Sequence, residues 1–200
     1  MKQIYFSSTM SSTATIFFLI MLPIYWYYYG PANFLWLSDI GLFLTIGAFW
    51  LQAPILISMA CVGILPQEIA WNIDFIIQLL TGFQLLGLSN YMFDAQLPLF
   101  LRALSLFHIG LPLIWIWCVM KFGYARSAAR LMTYLIWVIL SWTYLFTDPT
   151  ENINWVFMPS QNNWQFISPF AWFLFVIIGI PLFIILPMHL LLKRITKRFV

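Results

Sequence analysis

Six long apolar runs restrict what this chain can fold into. They cover residues 13–29, 34–51, 54–82, 98–122, 129–146 and 168–192. A helix of roughly 20 apolar residues crosses a hydrocarbon layer of about 30 Å. Only 8% of the residues are charged, whereas soluble domains contain about 25%. The sequence therefore predicts an all-α fold, a polytopic transmembrane helix bundle that forms one integral membrane domain over residues 1–200.

The number of spans depends on the third run, 54–82. As one straight helix rising ~1.5 Å per residue it would be longer than the membrane is thick. Pro66 lies near its middle, and a proline ring removes a backbone donor and clashes with the preceding turn. We expect a kink or break at Pro66, with Gln67 or a neighbouring span bonding the freed carbonyl. The run is then one bent span, giving six in total, or two short spans, giving seven.

Basic residues predict the orientation, because Lys and Arg near span ends mark the cytoplasmic side. They occupy the 121–130 connection and the carboxyl-terminal tail: Lys121, Arg126, Arg130, Lys193, Arg194, Lys197 and Arg198. Lys2 favours a cytoplasmic amino terminus, which agrees with six spans and both termini in the cytoplasm. The 147–167 loop has no Lys or Arg and is expected on the outside.

Ionisable residues inside the runs are candidates for a site, because such groups avoid lipid and face a partner or a cavity. Asp39, Asp74, Arg102 and His108 all fall toward the outer half of the predicted bundle. We expect Arg102 to pair with Asp39, Asp74 or Asp94, and His108 or Asp74 to serve as the acid-base group of a catalytic site. The alternative is that these residues only fasten helices together.

A polar stripe marks the third run. Gln67, Trp71, Asp74 and Gln78 follow one another by four, three and four residues, so they share one helix face. That face should point away from lipid. The stripe is expected to line an outward-opening polar cavity in which Asp74, Arg102 and His108 approach one another. It should bind a substrate there together with Arg102, Asp39 and Asp94.

The 147–167 loop combines turn-forming residues with groups that can hydrogen-bond and stack. Asn154 and Trp155 in its "NINWVF" segment are candidate substrate-binding residues, and the loop could act as a lid over the cavity. Trp155 has a simpler interpretation, because tryptophans accumulate at membrane interfaces in many proteins.

Several kinds of site and partner are not indicated. The sequence contains no phosphate-binding or dinucleotide-binding motif and no His or Cys pair with the spacing of metal ligands, so neither a cofactor nor a metal is predicted. Cys61 and Cys118 each lie in an apolar run and are expected to be packed thiols. The net charge is only +3, and most basic residues lie near the ends of the runs. This pattern does not suggest binding to nucleic acid.

Four segments carry a resemblance to a known family. "GPANFLWLSDIGLFLT", "LPQEIAWNIDF", "GLSNYMFDAQLPLFLRALSLFH" and "NINWVF" together resemble a family of small bacterial polytopic proteins usually described only as membrane-associated. The likeness runs from about Gly30 to His189. It implies a bacterial inner-membrane location and brings no activity with it. "LPQ" is also similar to the proline-glutamine motif of small sugar transporters, but the second copy of that motif is missing.

Three function classes remain. The first is a membrane-embedded enzyme that acts on a lipid or lipid-linked substrate, with Arg102 holding an anionic headgroup. The second is a transporter or binding protein for a small solute, whose helix break at Pro66 lies at mid-membrane. The third is a subunit whose polar residues contact a membrane partner. A pocket that is closed at one end favours the enzyme, whereas a route to both faces favours the transporter.

Overall fold

The computed structural model describes residues 6–159 and 167–196. Predictions about Lys2, Lys197, Arg198 and the 160–166 part of the loop lie outside the described residues.

The fold is all-α, as predicted. The helices are α1 (Ser8–Tyr29), α2 (Leu37–Leu51), α3 (Pro54–Gly63), α4 (Leu65–Thr81), α5 (Leu99–Leu104), α6 (Phe107–Phe122), α7 (Ala128–Phe146), α8 (Pro169–Gly179) and α9 (Leu186–Ile195). A π-helical turn, Ile180–Ile185, joins α8 to α9.

The lengths of these helices identify a polytopic membrane protein. Within the described residues, four segments are long and apolar enough to cross a bilayer: Ser8–Tyr29, Leu99–Phe122, Ala128–Phe146 and Pro169–Ile195. The pair α3–α4 passes the same test as one bent segment, which makes four or five candidate spans. The apolar helix α2 is shorter, with 15 residues. The outward faces of the long spanning segments carry large, exposed apolar side chains such as Leu19, Val138 and Phe183, as contact with lipid requires.

The third apolar run is broken where Pro66 predicts a break. Helix α3 ends at Gly63, α4 begins at Leu65, and the two axes meet at an angle of 58°. Pro66 occupies the first turn of α4, where its missing N–H leaves no gap in the hydrogen-bond ladder. The expectation that Gln67 bonds a freed carbonyl is wrong, because neither polar atom of its side-chain amide has a partner in the described structure.

Helix α3 forms the centre of the bundle and packs against α2, α6 and α7. It is buried on nearly all sides, which its small residues permit. A Cβ atom on Gly63 would lie 2.4 Å from Met132 Cγ. The close approach of α3 to α7 therefore requires glycine at this position.

The bundle has two chemically different ends. The loop end carries the 83–98 connection and the 147–159 segment, which meets the start of α2 where Asn154 bonds Leu37. The basic end carries the exposed side chains Lys121, Arg126, Arg130, Lys193 and Arg194. Phe6 bonds Gln52 at the basic end, and Tyr124 bonds His189 there at 2.8 Å. Both termini of the described chain therefore lie at the basic end.

Candidate functional site

A cavity of about 870 Å³ lies at the loop end of the bundle. Its walls come from the end of α1, the start of α2, the first half of α4, the 86–91 segment, the start of α6, the loop residues Asn154 and Trp155, and the π-helical turn. The lining residues Leu86 and Asn90 are exposed, so the cavity reaches the surface beside the 83–98 connection. Ile64 lines it at the α3–α4 break. Beyond Ile64 lie the fully buried apolar residues of α3, which close the cavity toward the basic end.

A buried histidine-carboxylate pair lies in the cavity wall. His108 Nδ1 is 2.7 Å from Glu68 Oε2, and both side chains are almost fully buried. A carboxylate can only accept, so it selects the tautomer in which Nδ1 carries the proton and Nε2 carries the lone pair. His108 Nε2 has no hydrogen bond to the described chain. The pair is therefore arranged like the base and orienting acid of a general-base site.

The imidazole of His108 is held from both faces. Trp71 stacks on it with a ring-centroid distance of 4.5 Å, and Phe107 stacks at 4.3 Å. The side-chain amide of Asn72 donates to the backbone carbonyls of Glu68 and His108 and so ties α4 to α6. These contacts fix the ring in one orientation, which a base needs in order to meet a substrate in defined geometry.

Four side chains that line the cavity hold buried polar atoms without a partner in the described structure. These atoms are Tyr29 Oη, Asp39 Oδ1, both polar atoms of the Gln67 amide, and Trp71 Nε1. Asp39 is only 2% exposed, and its other carboxylate oxygen accepts a long bond of 3.4 Å from Asn33. A buried polar group without a partner costs about 1–3 kcal/mol. These atoms are concentrated in one cavity, which is therefore the candidate functional site.

The second half of the predicted stripe has a different role. Asp74 accepts hydrogen bonds from the backbone N–H groups of Leu86, Gly87 and Ser89 and from the Ser89 hydroxyl, at 2.7–3.2 Å. Gln78 Oε1 accepts from the same hydroxyl at 3.4 Å. Neither Asp74 nor Gln78 lines the cavity. Both fasten the 83–89 segment onto α4.

The predicted ion pair of Arg102 is wrong. Arg102 donates to the carbonyl of Met92 at 2.9 Å, and within residues 6–159 and 167–196 the structure contains one ion pair, that of His108 and Glu68. The exposed Asp94 caps its own turn by accepting from the N–H of Gln96. Arg102 and Asp94 lie outside the cavity lining. The prediction that Asp74, Arg102 and His108 approach one another is wrong too, because the Asp74 carboxylate accepts its hydrogen bonds from the backbone of the 86–89 segment.

The described part of the loop, 147–159, is fixed at the cavity mouth. The Asn154 amide accepts from Leu37 N–H and donates to the Leu35 carbonyl, and so anchors the loop to the start of α2. Asn154 and Trp155 have φ values of 53° and 57°, a left-handed conformation that is costly for a bulky residue. This strained backbone positions Trp155 in the wall. At the start of the loop, bonds from Thr150 hold the pKa of Asp148 below its usual range.

Several lining residues escaped prediction from sequence. Glu68 lies in the "LPQEIAWNIDF" segment. Because charged residues are scarce in the apolar runs, its pairing with His108 could have been inferred from the sequence. Tyr25 and Ser105 share a hydrogen bond of 2.7 Å, and nothing in their spacing, 80 residues apart, indicates it. Tyr91 approaches from the 83–98 connection, and burial raises the pKa of its hydroxyl.

The described residues do not form a metal centre. No group of three His, Cys, Asp or Glu side chains lies close enough to hold an ion within 6–159 and 167–196. Cys61 and Cys118 are free and buried.

Comparison of the chain with protein-family models, curated proteins and solved structures finds no match. The resemblance drawn from the four sequence segments stays a prediction.

Proposed function

We propose that this membrane protein binds the uncharged, hydroxyl-bearing head of a lipid or lipid-linked molecule in the cavity and exchanges a proton with it at His108 Nε2. The observation that carries the proposal is the group of unpartnered buried atoms on Tyr29, Asp39, Gln67 and Trp71, all in the wall that holds the His108–Glu68 pair.

The mixture of donors and acceptors supports a hydroxyl ligand. Trp71 Nε1 can only donate, the Asp39 carboxyl group supplies an unpartnered acceptor oxygen, and the Gln67 amide both donates and accepts. A hydroxyl donates and accepts, whereas an ammonium only donates and an ionised phosphate only accepts. No Lys or Arg is among the described residues that line the cavity. The site therefore favours a neutral polyol head over the anionic headgroup that a role for Arg102 would require.

The acid-base role follows from the orientation of the pair. Glu68 holds the proton on Nδ1, so Nε2 can accept a proton from a ligand hydroxyl or a bound water. The carboxylate then stabilises the imidazolium that forms, and Nε2 returns the proton to the oxygen of the ligand or of the water. Asp39 and Gln67 supply positioning bonds around the reacting group. Asp74 keeps a structural role in this proposal.

We further propose six crossings with both termini in the cytoplasm. Helix α2 reaches from the loop end, where Leu37 bonds Asn154, to the basic end, where Gln52 bonds Phe6. In this proposal α2 is the sixth span. The exposed Lys and Arg residues of the basic end support a cytoplasmic position for it, since such residues accumulate on that side of membranes. The cavity then opens to the outside. The resemblance described above supports a bacterial inner membrane.

Transport is the second candidate, because the α3–α4 break at Ile64 borders the cavity. Broken helices at mid-membrane are common in transporters. A transporter must open the same cavity to the basic end, which requires α3 to move against α2, α6 and α7. Crosslinking α3 to α7 separates the two functions: it stops transport and leaves a one-sided enzyme active.

Native mass spectrometry of the full chain released from nanodiscs tests the proposal. We expect one 1-monoacylglycerol to bind saturably, and phosphatidic acid of the same chain length to bind at least tenfold more weakly. His108→Gln should retain monoacylglycerol binding and lose any turnover found. Preferential binding of phosphatidic acid, or equal binding of both lipids, would overturn the choice of head.

A further inference from the structure

A second, apolar groove lies on the membrane-facing surface of the α8–α9 segment. It has a volume of about 210 Å³ and is lined by Phe175, Val176, Gly179, Ile180, Phe183 and Ile184. Ile180 and Ile184 also line the polar cavity. The groove and the cavity therefore meet at these two side chains, one on the lipid side and the other inside the bundle.

The local backbone explains the groove. Gly179 provides a floor without a side chain, and the π-helical turn that follows contains Pro181. A π-turn widens the helix and changes the directions of its side chains, and such turns occur often at functional sites. Phe175 and Phe183 stand on either side of Gly179 along the segment and are 57% and 70% exposed. In a bilayer these exposed rings contact lipid chains.

The cavity wall is thin on this side. Helix α4 packs mainly against α6 and α3, while the π-helical turn packs against α3, α7 and its own neighbours α8 and α9. The cavity lies between α4 and the turn, which do not pack extensively against each other. Half-buried Ile180 and Ile184 thus separate the polar interior from the hydrocarbon layer.

We infer that the groove binds the acyl chain of a membrane lipid whose head enters the cavity sideways, past Ile180 and Ile184. This inference rests on the proposed function for the head, and it adds the path of the chain. Continuity identifies the occupant: a molecule that reaches the unpartnered atoms of Asp39 and Trp71 through this wall must have a polar head and an apolar remainder. A free sugar or polyol has no use for the groove.

Photo-crosslinking tests the path of the chain. The probe is a long-chain 1-monoacylglycerol with a diazirine at the end of its acyl chain, added to the full chain in phosphatidylcholine nanodiscs. We expect the peptide containing residues 175–184 to carry most of the label. Gly179→Leu fills the groove and should lower that label at least fivefold. Gly110→Leu is the matched control, because Gly110 lies in another spanning segment with open space around it, and its label should stay unchanged.

A second variant guards against misfolding of Gly179→Leu. Phe183→Ala removes one wall of the groove at a lipid-exposed position and should lower the label about threefold. Equal labelling of α7 and of residues 175–184 in the natural sequence, or label that persists in both variants, would overturn the inference. Binding of 1-monobutyryl glycerol separates the two proposals. If 1-monobutyryl glycerol binds but the long-chain diazirine probe does not label the groove, only the proposed path of the acyl chain fails. If 1-monobutyryl glycerol does not bind, the proposed binding of the head fails.

Discussion

The two halves of α4 look alike in sequence and differ in the structure. In the first half, Gln67 and Trp71 have buried polar atoms without partners and face the cavity. In the second half, Asp74 and Gln78 are bonded to the 83–89 segment. Polarity inside this membrane segment therefore has one cause that the hydrogen bonds show, fastening, and a second that we propose, ligand binding. Hydrogen-bond satisfaction separates them, because a fastening group finds its partners within the chain and a binding group leaves them to a ligand.

The largest expected effect on stability is that of Asp74→Ala. It leaves the donors of Leu86, Gly87 and Ser89 without their acceptor, and Asp74 is fully buried. We expect the free energy of unfolding to fall by about 3 kcal/mol, measured by thermal unfolding in detergent. Asp94→Ala is the control, since its exposed carboxylate caps one turn, and it should cost less than about 1 kcal/mol. Equal losses would remove the distinction between buried fastening and surface capping.

Glu68→Ala should come next, because it removes the acceptor of His108 Nδ1. We expect a loss of about 2 kcal/mol, because the buried N–H donor of His108 is left without its acceptor. ¹⁵N NMR of the His108 ring should show one tautomer in the natural sequence and a mixture in this variant. Glu68→Gln keeps an acceptor oxygen and should retain most of the stability. A His108 ring with the same tautomer in all three proteins would contradict the orienting role.

Ser89→Ala removes two of the bonds that reach α4, one to Asp74 and one to Gln78. The backbone bonds to Asp74 remain, so the expected loss is about 1–2 kcal/mol. Binding of 1-monoacylglycerol by the folded protein should not change, because Ser89 does not line the cavity. A tenfold loss of binding without a loss of stability would move the second half of the stripe into the site.

Gln67→Leu should have the smallest effect on stability and the opposite sign. It replaces two unpartnered buried atoms by apolar groups of similar size, so we expect stability to stay constant or to rise by up to about 1 kcal/mol. Monoacylglycerol binding should fall at least fivefold. A clear loss of stability would show that the Gln67 amide has partners that fasten the fold.

The sequence predicted the helical fold because its signals are local. The missing N–H of Pro66 and the length of its run indicate a break whatever surrounds them, and the structure confirms it at 58°. Helical spacing likewise predicted a shared inward direction for Trp71 and Asp74, and both are buried.

The partners of the polar residues could not be predicted in the same way. Glu68 finds His108 40 residues away, and Asp74 bonds backbone N–H groups, which every residue type except proline supplies. Arg102 bonds a carbonyl of the 83–98 connection, although charge alone favoured an aspartate. Helix spacing fixes which residues share a face, but the path of the connecting segments decides what covers that face.

The most direct test compares two buried carboxylates, Asp39 and Asp74, after the same Asp→Asn change. Each variant is measured for melting temperature and for its rise on addition of 1-monoacylglycerol. We predict that Asp39→Asn melts at or above the temperature of the natural sequence and loses the ligand-induced rise. Asp74→Asn should melt lower, by about 1–2 kcal/mol in unfolding free energy, and keep the rise. A reversed pattern, or the same response from both variants, would contradict the division of the buried polar groups into those that bind a ligand, such as Asp39, and those that fasten the fold, such as Asp74.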